Sequence, residues 1–301
     1  MKPLSFLAIA KSNGRSSHQR QPVFAWGLVL TYLGLLVVLP ISSLFWKTSQ
    51  AAPTELWTRI TDPVAVTAYF LSFSSALLAA LINSVFGFIL AWILVRHQFP
   101  GRRLADGLVD LPFAIPGVVA GITLLSLYGP GGIAGQWLDP GTPIGNFFQG
   151  LGIEEINFTA SFLGLLLAQT FSSLPFVVRT VQPILLELEP EVEEVAYTLG
   201  ASSWQSFWRV LFPQLLPAIL TGFTLALARG VGEFGIIFMI SGNIPFETLV
   251  STVYIFQRLE EFDFSGAAAV AIVLLTISLV LLGCANWVQR WSRRWDLNNG
   301  Q

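Results

Sequence analysis

Apolar positions along this chain gather into six long runs, residues 24–46, 64–95, 108–128, 158–178, 217–240 and 264–288, separated by short polar or Gly/Pro-rich stretches. Each run is about the length an α-helix needs to cross the hydrocarbon of a bilayer, roughly 20 residues. The pattern predicts an all-α integral membrane protein of six spans. A polar N-terminal segment, residues 1–22, precedes a six-helix domain, residues 23–291, and a short tail follows, residues 292–301. The first run has the charge order of a signal peptide, but it is longer than an h-region and further spans follow, so an uncleaved helix is expected. Pro112 and Pro116 interrupt the third run, with Gly117 and Gly121 beside them. Prolines there remove backbone hydrogen bonds and glycines admit close helix contact, so a kink or packing point is expected.

Composition agrees with that reading. The 301 residues are 53% hydrophobic and 11% charged, whereas a soluble domain carries about a quarter charged residues. Net charge is −2 and no basic cluster is interleaved with aromatic residues, so nothing points to nucleic acid. The charges report orientation instead, because Lys and Arg gather on cytoplasmic loops. Of the 16 such residues, Lys2, Lys11, Arg15, Arg20, Arg96, Arg102, Arg103, Arg179, Arg209, Arg290, Arg293 and Arg294 fall on one side. Lys47, Arg59 and Arg258 fall on the other, and Arg229 lies within a span. Both termini are therefore expected in the cytoplasm. The single cysteine, Cys284, is expected to be a small buried hydrophobe.

The segment 188–216 departs from its surroundings. Pro190 suits a first helical turn, and Glu191, Glu193 and Glu194 would lie near the positive end of the helix dipole. Val192, Val195, Ala196 and Leu199 keep helical spacing, Gly200 suits the helix end, and Ser202 or Ser203 can cap a second short helix holding Trp204, Phe207 and Trp208. Helix logic leaves two readings open: an amphipathic loop lying on the membrane surface, or a unit seated in a groove on a partner.

Glu194, Ala196, Gly200, Val210 and Pro213 resemble, at the same spacing, the E-A-A, G, I-x-L-P signature of ABC importer permeases, with Val195 and Phe212 in place of the usual alanine and leucine. Glu193 and Ala201 flank these positions. The runs FPGRRLADGLVDLPFAIPGVVAGITLLSLYG, LPFVVRTVQPILLELEPEVEEVAYTLGAS, ARGVGEFGIIFMISGNIP and QRLEEFDFSGAAAVAI resemble the T subunit of sulfate/thiosulfate permeases across about residues 65–290. Molybdate or tungstate permeases are the alternative, since the molybdate branch shares G-E-F-G and G-N-I-P; the E-F-D-F-S-G-A stretch and the span count favour the sulfate branch. The resemblance implies a type I ABC importer permease whose loop 188–216 is a coupling helix docking on an ATPase. It also implies the partners: two ATPase subunits, a related W-type permease subunit, an extracytoplasmic sulfate-binding protein and the lipid bilayer. A bacterial inner membrane, or a plastid envelope, is the expected location.

Arg229 and Glu233, four residues apart in the fifth run, can pair on one helix face. A structural pair is the first reading and direct contact with an oxyanion the second. Gly230, Gly232 and Gly235 around them are expected to serve packing, with local unwinding the other option. Ser72, Ser74, Ser75, Asn83 and Thr123 are eligible neutral donors for an anion path. No Walker-type phosphate loop or His/Cys cluster is present, and His18 and His97 sit in polar flanks. Neither a catalytic residue, a metal nor a cofactor is therefore expected in this chain. A secondary transporter would call for internal repeats and more intramembrane carboxylates than Glu233, and an embedded enzyme for a polar cluster at one depth.

Overall fold

The computed structural model describes residues 23–138, 141–150, 157–188 and 190–298. The expected N-terminal segment 1–22, with Lys2, Lys11, Arg15, His18 and Arg20, lies outside them, as do residues 299–301. The described residues are helical, with no strand among them. The chain divides into two compact units, residues 1–46 and 47–301.

The described part of the first unit belongs to one helix, which starts at Val23, widens into a π turn at Gly34–Val38 and runs on to Ser49. Leu28, Leu30, Leu36 and Val38 are exposed around it, the all-round apolarity of a membrane span. The π turn ends two residues before Pro40, where the missing proline N–H already breaks the α ladder.

In the second unit, a short helix Pro53–Ile60 leads to Asp62, whose carboxylate accepts from the N–H groups of Val64 and Ala65 and caps the second span, Pro63–Arg96. This 34-residue helix is about 51 Å long at 1.5 Å per residue, so it reaches well past a hydrocarbon core of about 30 Å. Ala65, Ala68, Ala76, Ala79, Ala80 and Ala91 are all buried on it. With so little side chain in the way, it packs tightly against the fourth span, Phe162–Glu187, and the fifth, Ser203–Val231. A Cβ on Gly87 would stand 3.0 Å from that of Val177, and one on Gly222 would come within 2.5 Å of Thr180 Oγ1.

Three segments depart from the expected boundaries. The third run is not one kinked helix. Helices Arg102–Val109 and Leu111–Ala114 precede Gly117–Tyr128, so Pro112 stands in the first turn of one short helix and Pro116 at the N-cap of the next. Second, the fifth span does not begin near Pro217. It starts at Ser203, passes a π turn at Phe207–Leu211 and continues without interruption to Val231. Pro213 again follows the π turn by two residues, the arrangement seen before Pro40. Third, the fifth span stops at Val231, and a separate helix Gly235–Ile240 follows after the break at residues 232–234. The sixth helix, Phe264–Asn298, absorbs the expected tail as far as Asn298. Cys284 is exposed on it, not buried as its residue type suggested.

Candidate functional site

Two places hold the polar residues that the sequence singles out. The first is the loop between the fourth and fifth spans. Helix Pro190–Thr198 ends in a Schellman motif: Gly200 takes φ +83°, its N–H donates to the carbonyl of Tyr197, and the Ala201 N–H donates to the carbonyl of Ala196. Ser202 then opens the next helix with a reciprocal capping box to Gln205. Ala196 is buried, whereas Val192, Val195 and Leu199 form an exposed stripe, with Leu199 83% exposed at the tip. Glu194, Gly200 and Pro213 are exposed, and Ala201 and Val210 are half-buried. Glu193 differs from Glu194: it forms an ion pair at 2.9 Å with Arg96, the last residue of the second span.

Near that end, Arg179 of the fourth span joins both short helices that follow the second. Its guanidinium donates to both carboxylate oxygens of Asp110, at 2.8 and 2.6 Å, to Asp106 Oδ1 at 2.7 Å and to Gln182 Oε1 at 2.6 Å. Hydrogen bonds from Gln182 and Arg179 hold the Asp106 carboxyl below its ordinary range. Neither this fork nor the Glu193–Arg96 pair was legible in the sequence, because the partners lie far apart in the chain.

The second place is the break after the fifth span, residues 232–234, within the G-E-F-G element that ends at Gly235. Glu233 is 2% exposed and Arg229, whose side chain is 38% exposed, pairs with it at 2.6 Å. Glu233 Oε1 also accepts the N–H of Ile236 at 3.2 Å, so the carboxylate caps the short helix that follows. Thr252 Oγ1 donates to the Glu233 carbonyl at 2.8 Å, and Gln169 Nε2 to the Gly230 carbonyl at 3.3 Å. Two carbonyls and one N–H at the break are thus met by side chains, the kind of compensation that interrupting a helix at membrane depth requires.

The three glycines around this pair differ in their surroundings. Gly235 packs on Gly117, and Gly230 on Ala76, where an added Cβ would lie 3.1 Å from the alanine Cβ. Gly232 is exposed, with its nearest neighbour 3.7 Å from an added Cβ, and sits at the break. Gly230 and Gly235 are closely surrounded, and Gly232 lies where the helix is interrupted. The G-N-I-P element is a turn with Gly242 and Asn243 both at positive φ; the Asn243 side-chain amide donates to the Phe238 carbonyl.

Most of the expected neutral donors are spent inside the chain. Ser72 donates to the Ala68 carbonyl and accepts the N–H of Ser251, Ser75 donates to Leu71, and Asn83 bonds the Thr170 carbonyl and Ser173. All three are buried. Ser74 is half-buried and Thr123 exposed, each bonded to a carbonyl of its own helix.

Residues 83–294 match the family model described as the binding-protein-dependent transport system inner membrane component. A probable sulfate transport system permease protein cysT of Nephroselmis olivacea is 49% identical over 271 residues, covering 90% of this chain and 91% of the relative. The sulfate transport system permease protein CysT of Escherichia coli strain K12 is 46% identical, covering 89% and 92%, and that of Synechocystis sp. is 44% identical, covering 97% and 98%. Among solved structures, a chain of the bacterial alginate ABC transporter in complex with alginate pentasaccharide-bound periplasmic protein superposes with TM-score 0.70 at 18% identity, over 89% of this chain and 93% of that one. A chain of the inward-facing MetNI methionine ABC transporter superposes with TM-score 0.53 at 16% identity, over 80% and 99%. The fold is that of type I ABC importer permeases, and the chain belongs to the CysT family of sulfate transport permeases, multi-pass membrane proteins of the binding-protein-dependent transport systems.

Proposed function

We propose that this chain is the membrane-spanning permease subunit of an ATP-driven importer for sulfate and thiosulfate, working by alternating access. The observation that carries this reading is the loop helix Pro190–Thr198, beside which Val192, Val195 and Leu199 form an apolar stripe left exposed among the described residues. Such a face is stable once a partner groove covers it. The docking positions are Glu194, Gly200 and Leu199 at the surface, with Ala196, Ala201, Val210 and Pro213 shaping the loop behind them. Glu193 is a structural member of the same unit. The helix from Ser203 to Val231 runs unbroken, so a push on the loop reaches the break at Glu233 through one rigid element.

The partners under this reading are two ATPase subunits docked on the loops, a W-type permease completing the path, and an extracytoplasmic binding protein that delivers the anion. ATP is hydrolysed in the partners. The loop end of the bundle faces the cytoplasm, with both termini there, in a bacterial inner membrane or a plastid envelope. Arg229 and Glu233 pair beside the break, and Arg229, whose side chain is partly exposed, offers the anion one half-neutralised cation. A fully unpaired arginine would bind too deeply for release.

The test is co-purification of the ATPase with this chain, wild type against Leu199→Glu, and sulfate-dependent ATP hydrolysis by the complex. A charge at the tip should release the ATPase while leaving the permease folded. Retention of both ATPase and hydrolysis would refute docking at this helix. Stimulation by molybdate in place of sulfate would transfer the reading to the molybdate branch.

A further inference from the structure

Glu193 and Glu194 are neighbours with opposite surroundings, since one helical step turns the side chain by about 100°. Glu194 is exposed, while the Glu193–Arg96 pair is only about a fifth exposed, at 22% and 19%. Arg96 ends the second span, and its guanidinium lies over the Trp92 ring at 5.6 Å. Trp92 meets Phe207 edge-on at 5.6 Å, and Phe207 is tilted against Phe88 at 6.1 Å. Phe207 opens the π turn through which the loop becomes the fifth span. The loop helix, the second span and the root of the fifth span therefore meet around one cation.

An exposed ion pair contributes little, but this one is partly desolvated and backed by aromatic rings, so loss of one partner leaves a charge with nothing to balance it. Its placement matters mechanically. The loop helix is joined to the chain through the extended Leu188 that ends the fourth span on one side and through the left-handed Gly200 on the other. Without a lateral tie, a displacement at Glu194 would swing the helix about those joints. With the tie, it moves the second span, whose Ser72 holds the N–H of Ser251, next to the Thr252 that bonds the Glu233 carbonyl.

We infer that Arg96 is a positioning residue for energy coupling: through Glu193 it locks the loop helix to the second span, so that motion of a docked ATPase is delivered to the second and fifth spans together. The inference rests on the reading of 188–216 as the ATPase-docking loop.

The experiment measures sulfate transported per ATP hydrolysed in vesicles holding the complete importer, for wild type, Arg96→Gln, Glu193→Gln, the double variant, Arg96→Lys and Gly200→Asp. Arg96→Gln and Glu193→Gln should each lower the ratio by about tenfold, the scale of a coupling free energy between sites, with ATPase co-purification unchanged. The double variant should be no worse than either single one, as for two residues acting through one contact, and Arg96→Lys should stay within about threefold of wild type. An unchanged ratio in either single variant, multiplying effects in the double, or loss of co-purified ATPase in the Arg96 variants would overturn the inference. Gly200→Asp reports separately on the docking reading: if it leaves co-purification and hydrolysis intact, that reading fails whatever the Arg96 variants do.

Discussion

Gly117 and Gly235 lie backbone against backbone: a Cβ added to Gly235 would stand 3.0 Å from the carbonyl carbon of Gly117. One glycine begins the helix of the third span and the other begins the short helix beyond the break, so this contact joins the two discontinuities of the bundle. Because the obstacle is backbone, it cannot rotate away.

Gly235→Val is therefore expected to cost about 1–3 kcal/mol, the usual penalty of overpacking. Gly121→Val should cost at least as much, since its added Cβ would already meet Met239 Cβ at 2.7 Å and the Ile236 carbonyl at 2.9 Å. Gly232→Ala would make only ordinary contacts, at negative φ, and should fall within about 0.5 kcal/mol of wild type. Thermal unfolding of the purified protein in detergent, with the three variants ranked by Tm, checks the series. A Gly232→Ala as damaging as Gly235→Val would contradict it.

Removing the cation beside a buried carboxylate strands the carboxylate. Arg229→Ala leaves the Glu233 carboxylate, 2% exposed, without its cation, and should destabilise the protein by about 3 kcal/mol. Arg229→Met combined with Glu233→Gln removes both charges and keeps an oxygen that can accept the Ile236 N–H, so it should recover more than half of that loss. Thermal unfolding of the single and double variants decides. A double variant as unstable as Arg229→Ala would mean that the pair does more than neutralise a buried charge.

Asp106 ties helix Arg102–Val109 to the fourth span, and its carboxyl is held below the ordinary carboxylate value of 3.8, first by Gln182 and then by Arg179. A folded-state value below the unfolded one means that the tie stabilises fully above about pH 4 and is lost as the pH falls through the lower, folded value. The Tm of the wild type should fall more steeply than that of Asp106→Asn as pH drops from 5 to 3. Parallel slopes would remove Asp106 from the acid response.

Span number and much of the loop were legible because both depend on short-range pattern. Apolar runs of bilayer length mark spans wherever they pack, and the left-handed Gly200 followed by a capping serine is written in adjacent residues. Pairings such as Arg179 with Asp106 and Asp110, or Arg96 with Glu193, were not legible, since nothing local says which carboxylate a distant guanidinium will meet. The start of the fifth span is illegible for a related reason. Pro217 looked like a helix start, but a helix whose neighbours already satisfy its surroundings carries Pro213 and Pro217 inside it, at the cost of a π turn. The break at Gly232 was hidden because glycine serves packing and unwinding alike, and only the positions of Thr252 and Gln169 distinguish them. Ser72, Ser75 and Asn83 looked like path donors by residue type, whereas their partners lie within the bundle.

The central claim, that the loop 188–216 couples ATP hydrolysis to passage of sulfate through this chain, is tested most directly by ATP-driven uptake of radiolabelled sulfate. The vesicles hold the permease with its ATPase, W-type and binding-protein partners, and wild type is compared with Gly200→Asp. Aspartate tolerates positive φ better than most side chains, and a Cβ at Gly200 meets nothing within 4 Å, so the substitution changes the docking surface more than the fold. The account predicts uptake that requires ATP, is abolished by Gly200→Asp with the permease still folded, and is insensitive to excess molybdate. Uptake that proceeds without ATP and survives the substitution would contradict it.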